Sequence, residues 1–266
     1  MTEKRTVVVE RAEQLWQAST RRGFLKALGV GGAIVMMPGL FSACNDDDDN
    51  GTNPTNGPVT LDLSSDTGIV NYAYALEQLE AAFYTAVVAS TAFSGMTAEQ
   101  KEVMLDLRNH EVAHRELLAS VLGPSRIGDL ALNQTTVAAA IASTSSILKT
   151  AEAFEDLGVS AYNGAGKYLQ DVNNLLLAGK IVSVEARHAA AIRDLREGLG
   201  LSGSTPNTRF AGDDVVNAQG LDVKLEPSEV LTRVAATGFV TTQIAIGVQP
   251  TITGATASAP PPNPTP

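Results

Sequence analysis

Met104-Leu105-Asp106-Leu107-Arg108-Asn109-His110-Glu111-Val112-Ala113-His114-Arg115-Glu116-Leu117-Leu118 has the spacing of an amphipathic helix with ionisable groups on its apolar side. At helical spacing, Met104, Leu107, Glu111, His114, Leu118 and Val121 share one face, so an apolar stripe of the kind a helix turns toward a core is interrupted by a carboxylate and an imidazole. Thr97-Ala98-Glu99-Gln100 opens this helix as a capping box, and Gly123-Pro124 closes it.

Working outward, the same composition of stripe recurs. A helix over about 66–90 puts Ala73, Leu76, Glu80, Phe83 and Val87 on one face; a third over about 145–164 puts Leu148, Ala151, Glu155, Gly158 and Tyr162 there; a fourth over about 171–199 puts Ile181, Val184, Glu185, His188, Ile192 and Leu195 there. The connection between the second and third helices is long, with a short helix near 136–142. Glu226-Pro227-Ser228-Glu229, leading into Val230, Leu231, Val234 and Ala235, opens a fifth, shorter helix expected on the outside of the bundle. The fold class is therefore all-α: an up-down four-helix bundle with a long crossover between helices 2 and 3 and a short extra C-terminal helix.

Four carboxylates inside one bundle core repel one another and cost several kcal/mol each when unpaired, so cations or many protons must compensate. Glu-x-x-His places both side chains about one turn apart on one face, within reach of one metal. A single such match is weak, because surface helices carry Glu and His freely. Here two of only three histidines have it, on different helices and both on the inward stripe. The order also repeats: Glu80 precedes Glu111 by 31 residues and Glu155 precedes Glu185 by 30. The expected metal ligands are Glu80, Glu111, His114, Glu155, Glu185 and His188, the set of di-metal carboxylate bundles. Glu77, at the border of the stripe, is the alternative ligand or a support for Glu80, which is favoured for its central position. His110 is read as a flank residue unless ligands exchange, and Tyr84 and Tyr162 as core tyrosines outside the site.

Leu76-Glu77-Gln78-Leu79-Glu80-Ala81-Ala82-Phe83-Tyr84, Glu185-Ala186-Arg187-His188 and Gly158-Val159-Ser160-Ala161-Tyr162-Asn163-Gly164-Ala165 resemble the ferritin-like domain proteins, and within them the desiccation-related group. The resemblance covers roughly 63–199. It implies a scaffold for two iron or manganese ions that meet dioxygen or peroxide, as in ferroxidase-, peroxidase- or catalase-like oxidoreductases, without implying a substrate. The single cysteine excludes a rubredoxin-like module, and carboxylate with imidazole suits iron or manganese better than an iron–sulfur or blue-copper centre.

Ahead of the bundle, Ser19-Thr20-Arg21-Arg22-Gly23-Phe24-Leu25-Lys26 and an uncharged apolar run over 27–41 resemble a twin-arginine export signal, with Arg21 and Arg22 as the pair. Phe41-Ser42-Ala43-Cys44 resembles a lipobox, with Phe41 in place of the usual Leu. Cys44 is the expected lipidation site, followed by an acidic tether over 44–62. Residues 201–249 form an extension and 250–266 a Pro-rich tail. The expected location is the periplasmic or extracellular face of a membrane, held there by the lipid anchor alone. Removing the first 43 residues leaves 13 basic and 26 acidic side chains, a net −13, which excludes nucleic acid as a partner and favours cations. An anchored N-terminus argues against a closed storage shell and is compatible with a smaller homo-oligomer. The rival readings are a non-catalytic metal-binding or stress-protection protein of the envelope, and a metal-free docking module.

Overall fold

The computed structural model describes residues 57–200 and 211–250. The export signal, Cys44, most of the tether and the Pro-rich tail lie outside the described residues.

Four long helices form the bundle: α1 (Asp66–Ala89), then, after the single turn α2 (Thr91–Ser94), α3 (Ala98–Leu122), α5 (Thr144–Ala165) and α6 (Val172–Gly198). The crossover between α3 and α5 carries α4 (Gln134–Ala140), and α7 (Pro227–Thr237) follows the bundle. Each long helix begins where a short polar side chain takes the first free N–H groups. Ser65 accepts from Gly68 N, Thr97 and Gln100 cap reciprocally, Ser143 and Ser146 do the same, and Asp171 accepts from Asn173 N. Each such cap is worth about 1 kcal/mol. Gly123 (φ 51°) ends α3 in a conformation that a side chain resists.

α1 pairs chiefly with α3, and α5 with α6, while α1–α5 and α3–α6 contacts close the bundle. α1 is buried nearly all round, from Gly68 to Val87, as an apolar central helix must be. The core runs from Tyr72, Phe83 and Tyr84 through Met104, Ile147 and Leu148 to Ile192. α7 packs its Val230, Leu231 and Val234 into that core beside α5, and Phe239 completes an aromatic cluster with Phe83 and Phe154. Among the described residues, no helix is long and apolar enough to cross a membrane.

One element departs from the sequence reading. The end of the expected tether is β1 (Val59–Asp62), which pairs in parallel with β2 (Ile244–Val248), Val59 opposite Ile244. Val59 and Leu61 are buried, so 59–62 belongs to the folded body. The extension is likewise built in. Arg193 of α6 is buried and bridges Asp156 of α5 and Asp214 of the extension at 2.6 and 2.8 Å. Leu225 N donates to Ser160 O, at a crossing so close that a Cβ on Gly164 would lie 1.7 Å from Leu225 O.

Candidate metal centre

Glu111 and His114 stand one turn apart on α3, and Glu185 and His188 one turn apart on α6, with their oxygens and Nδ1 atoms facing each other across the bundle axis. His114 Nδ1 lies 2.9 Å from Glu185, 3.2 Å from Glu111 and 3.5 Å from Glu77. His188 Nδ1 lies 2.8 Å from Glu111, 3.3 Å from Glu155 and 3.3 Å from Glu185. Two four-residue groups result: Glu77, Glu111, His114 and Glu185, and Glu111, Glu155, Glu185 and His188. Glu111 turns Oε2 to the first group and Oε1 to the second; Glu185 turns Oε1 to the first and Oε2 to the second.

Of the residues expected from sequence, Glu111, His114, Glu155, Glu185 and His188 come together, and Glu80 belongs to neither group. Glu77 takes its place. Glu77 has no exposed surface, whereas Glu80 points sideways against α5, where a Cβ on Gly158 would come within 3.0 Å of its Oε1. Because α1 is apolar on nearly every face, the centre of its hydrophobic stripe does not mark the side that meets the ligands. Counting from Glu77 exposes a repeat that counting from Glu80 hides: Glu77 and Tyr84 are spaced as Glu155 and Tyr162 are, and Gly158 occupies the position that corresponds to Glu80.

Tyr84 and Tyr162 also belong to the site, and this reciprocal spacing is the signal that would have found them. Tyr162 OH donates to Glu77 Oε1 at 2.5 Å, and Tyr84 OH donates to Glu155 Oε1, each tyrosine thus orienting the carboxylate of the opposite helix pair. His110 is no idle flank residue either. Its Nδ1 is 2.9 Å from His188 Nε2 and the two rings are nearly parallel, at 7°. With His188 Nδ1 turned to the carboxylates, its Nε2–H donates and His110 accepts. Burial, then the neighbouring His188, hold His110 below the ordinary imidazole value, as suits an acceptor.

The donor set can be tested for a cation on its own chemistry. Glu77, Glu111, Glu155 and Glu185 each keep one buried oxygen without a hydrogen bond (Glu77 Oε2, Glu111 Oε1, Glu155 Oε2 and Glu185 Oε1). Each Nδ1 has at most one proton for three surrounding carboxylate oxygens, so the histidine protons by themselves cannot satisfy them. Burial pushes the Glu77 and Glu155 carboxyls up to about 8 despite the attraction of His114 and His188. Burial also opposes the charge of the two imidazoles, but Glu77 beside His114 and Glu155 beside His188, with hydrogen bonds to the shared carboxylates, outweigh it and raise both. Burial disfavours charge on Glu111 as well, but the hydrogen bond with His114 and the close approach of His188 bring its carboxyl below the usual range. Glu80 is held well above that range, first by burial and then by four neighbouring carboxylates. Carboxylate oxygens and imidazole nitrogens converging on two points are a ligand set for hard or borderline divalent ions.

A model of the ferritin-like domain matches residues 65–198, from the cap of α1 to the end of α6. The chain belongs to the ferritin-like domain family. The match spans all the residues of the two groups, together with Tyr84 and Tyr162, and stops before the extension that closes over α5 and α6. No curated protein matches the chain. As a ferritin-like protein it has a helical bundle whose buried carboxylates and histidines can hold metal ions.

Proposed function

We propose that this protein is a di-metal carboxylate protein of the cell envelope, holding two iron or manganese ions and carrying out redox chemistry with dioxygen or peroxide. The observation that carries the reading is the shared pair: Glu111 and Glu185 each divide their two oxygens between the groups, while Glu77 with His114 and Glu155 with His188 stand at the ends. Two divalent ions balance the four carboxylates of these groups and relieve their burial. Such ions, when bound, supply electrons to an oxidant and stabilise charge that develops on it. The chain's own residues hold them, with Tyr84 and Tyr162 fixing the orientation of the end carboxylates and His110 that of the His188 ring.

The envelope location rests on Arg21-Arg22, the apolar run and Cys44, whose order matches a twin-arginine lipoprotein signal. The motifs around Leu76–Tyr84 and Gly158–Ala165 favour the desiccation-related group within the family. Elemental analysis of the folded protein tests the reading. Two iron or manganese ions per chain, with ferrous protein oxidised on mixing with dioxygen or peroxide, is the expected result. Bound metal without any turnover would move the protein to the stress-protection reading, and failure to take up metal on gentle reloading would sink both.

A further inference from the structure

Beside the first group lies an apolar cavity of about 30 Å³, lined among others by Ala73, Leu76, Leu118, Tyr162, Ala178 and Ile181. Its lining is tied to the ligands themselves. Ala73 is one turn before Glu77, Leu76 precedes it directly, Leu118 is one turn after His114, Ile181 is one turn before Glu185, and Tyr162 holds Glu77. The volume is roughly two to three times the ~10–15 Å³ that a water requires, but the surface turned toward it is almost wholly apolar. Of the polar residues in the lining, Tyr162 OH is spent on Glu77 and Asn174 Nδ2 on Asp66, while Tyr72 OH has no hydrogen-bond partner among the described residues.

The internal repeat shows why the space exists. Aligning Glu77 with Glu155 and Glu111 with Glu185 sets Leu76 against Phe154, Ala165 against Val87, Gly166 against Val88 and Ala178 against Met104. At the second group Phe154 and Met104 are buried and packed, Phe154 edge-on against Phe83 and Phe239. Tyr72 and Leu177 are exchanged in the other sense, against Thr150 and Val103, which keeps the cavity narrow. At the solvent side, Val172, Leu175 and Leu176 are exposed on the first turns of α6, and Leu175 reaches over Gly166 at the cavity rim.

We propose that this cavity is a docking site for dioxygen, feeding it to the Glu77, His114 and Glu185 end of the centre. A narrow, partly open apolar space of this size suits a small apolar diatomic, is too small for an acyl chain, and turns almost no polar surface toward peroxide. The proposal rests on the reading of the centre as one that meets an oxidant, and selects dioxygen over peroxide as that oxidant.

Xenon is the probe that separates the cavity from the chemistry. In the full-length, metal-free chain under xenon pressure, methyl resonances of Leu76, Leu118, Leu177 and Ile181 are expected to shift saturably, and those of Ile147, Leu148 and Ile192 at the packed end to stay put. The double variant Leu76→Phe/Ala178→Met, which copies the packed end, is expected to abolish the xenon shifts. In ferrous-loaded protein it should slow oxidation by dioxygen by about tenfold while leaving metal content and oxidation by peroxide unchanged. Absence of xenon shifts in the unsubstituted chain overturns the proposal without need of any variant, and so does an equal loss of the dioxygen and peroxide rates. Failure to bind metal would refute the function proposed above and leave the xenon result to decide the cavity alone.

Discussion

The two helix pairs of this bundle, α1 with α3 and α5 with α6, carry the same chemistry in different packing. Glu77, Tyr84, Glu111 and His114 in the first answer Glu155, Tyr162, Glu185 and His188 in the second, and each tyrosine crosses to the other pair's carboxylate. Around these eight residues the halves diverge. Only the second has an imidazole behind its histidine ligand: His110 backs His188, whereas Val184 occupies the position corresponding to His110. Glu80 sits beside the first pair's ligands, and the second has Gly158 instead. One end of the centre is packed by Phe154 and Met104, and the other opens on a cavity. The lesson is that converging ligands tolerate little change, because every buried oxygen needs a partner, while the apolar surroundings are free to differ wherever volume is conserved or solvent is kept out.

The comparison is broken most completely at the shared carboxylates. Glu111→Ala or Glu185→Ala is expected to lose both metal ions, whereas Glu77→Ala or Glu155→Ala should lose one, counted by elemental analysis of the purified variants. If Glu77→Ala left both ions and Glu80→Ala removed one, the assignment of Glu77 would fall.

A pH series tests what the halves share. The folded values of Glu77 and Glu155 are raised to about 8 from 4.5, so the stability they contribute to the metal-free protein is complete below about 4.5 and lost as pH rises through about 8. The raised histidines act in the same direction. Metal must displace these protons, so affinity rises with pH, by about a hundredfold per unit below 8 if two protons leave. Calorimetric titration with manganese in buffers of different ionisation enthalpy counts them. A melting temperature of the metal-free protein that climbed between pH 5 and 8 would contradict the sign.

His110→Ala sharpens the asymmetry. Loss of the partner of His188 Nε2 is expected to weaken the ion held by Glu155 and His188 by about 10–100-fold and to leave the other unaffected, so that one binding isotherm splits into two. Tyr84→Phe and Tyr162→Phe each strand a buried carboxylate oxygen and should cost the protein about 1–3 kcal/mol in denaturant unfolding. Equal losses would mark the two hydrogen bonds as equivalent. The smallest effect is expected of Gly158→Ala, whose new methyl group meets only the end of the Glu80 side chain at 3.0 Å. Less than about 1 kcal/mol should be lost, with metal content unchanged.

Much of this was legible in the chain. Thr97 with Gln100 and Gly123 delimited α3, and Glu226-Pro227 opened α7, because caps and stops act within a few residues. Glu-x-x-His on two inward stripes identified four of the six residues in the groups. The choice between Glu77 and Glu80 was not legible from hydropathy, since α1 is buried on both sides and an apolar residue flanks each. Nor was the role of Asp214, whose only distinguishing feature is that the folded chain brings it to the buried guanidinium of Arg193.

By itself, then, the sequence determines four capped helices, their apolar faces and the presence of buried carboxylates and imidazoles too numerous to be left without a counter-charge. These follow from local hydrogen bonding and from the 3.6-residue period, which a linear reading contains. Only the tertiary structure decided that Glu77 faces the centre and Glu80 faces Gly158, that the tyrosines cross between pairs, that β1 joins β2 from the far end of the described chain, and that one end of the centre is hollow. Those outcomes depend on how far each helix rotates against its neighbours and on which side chains then compete for the same volume, quantities set by the packing of the whole and by no single segment of it.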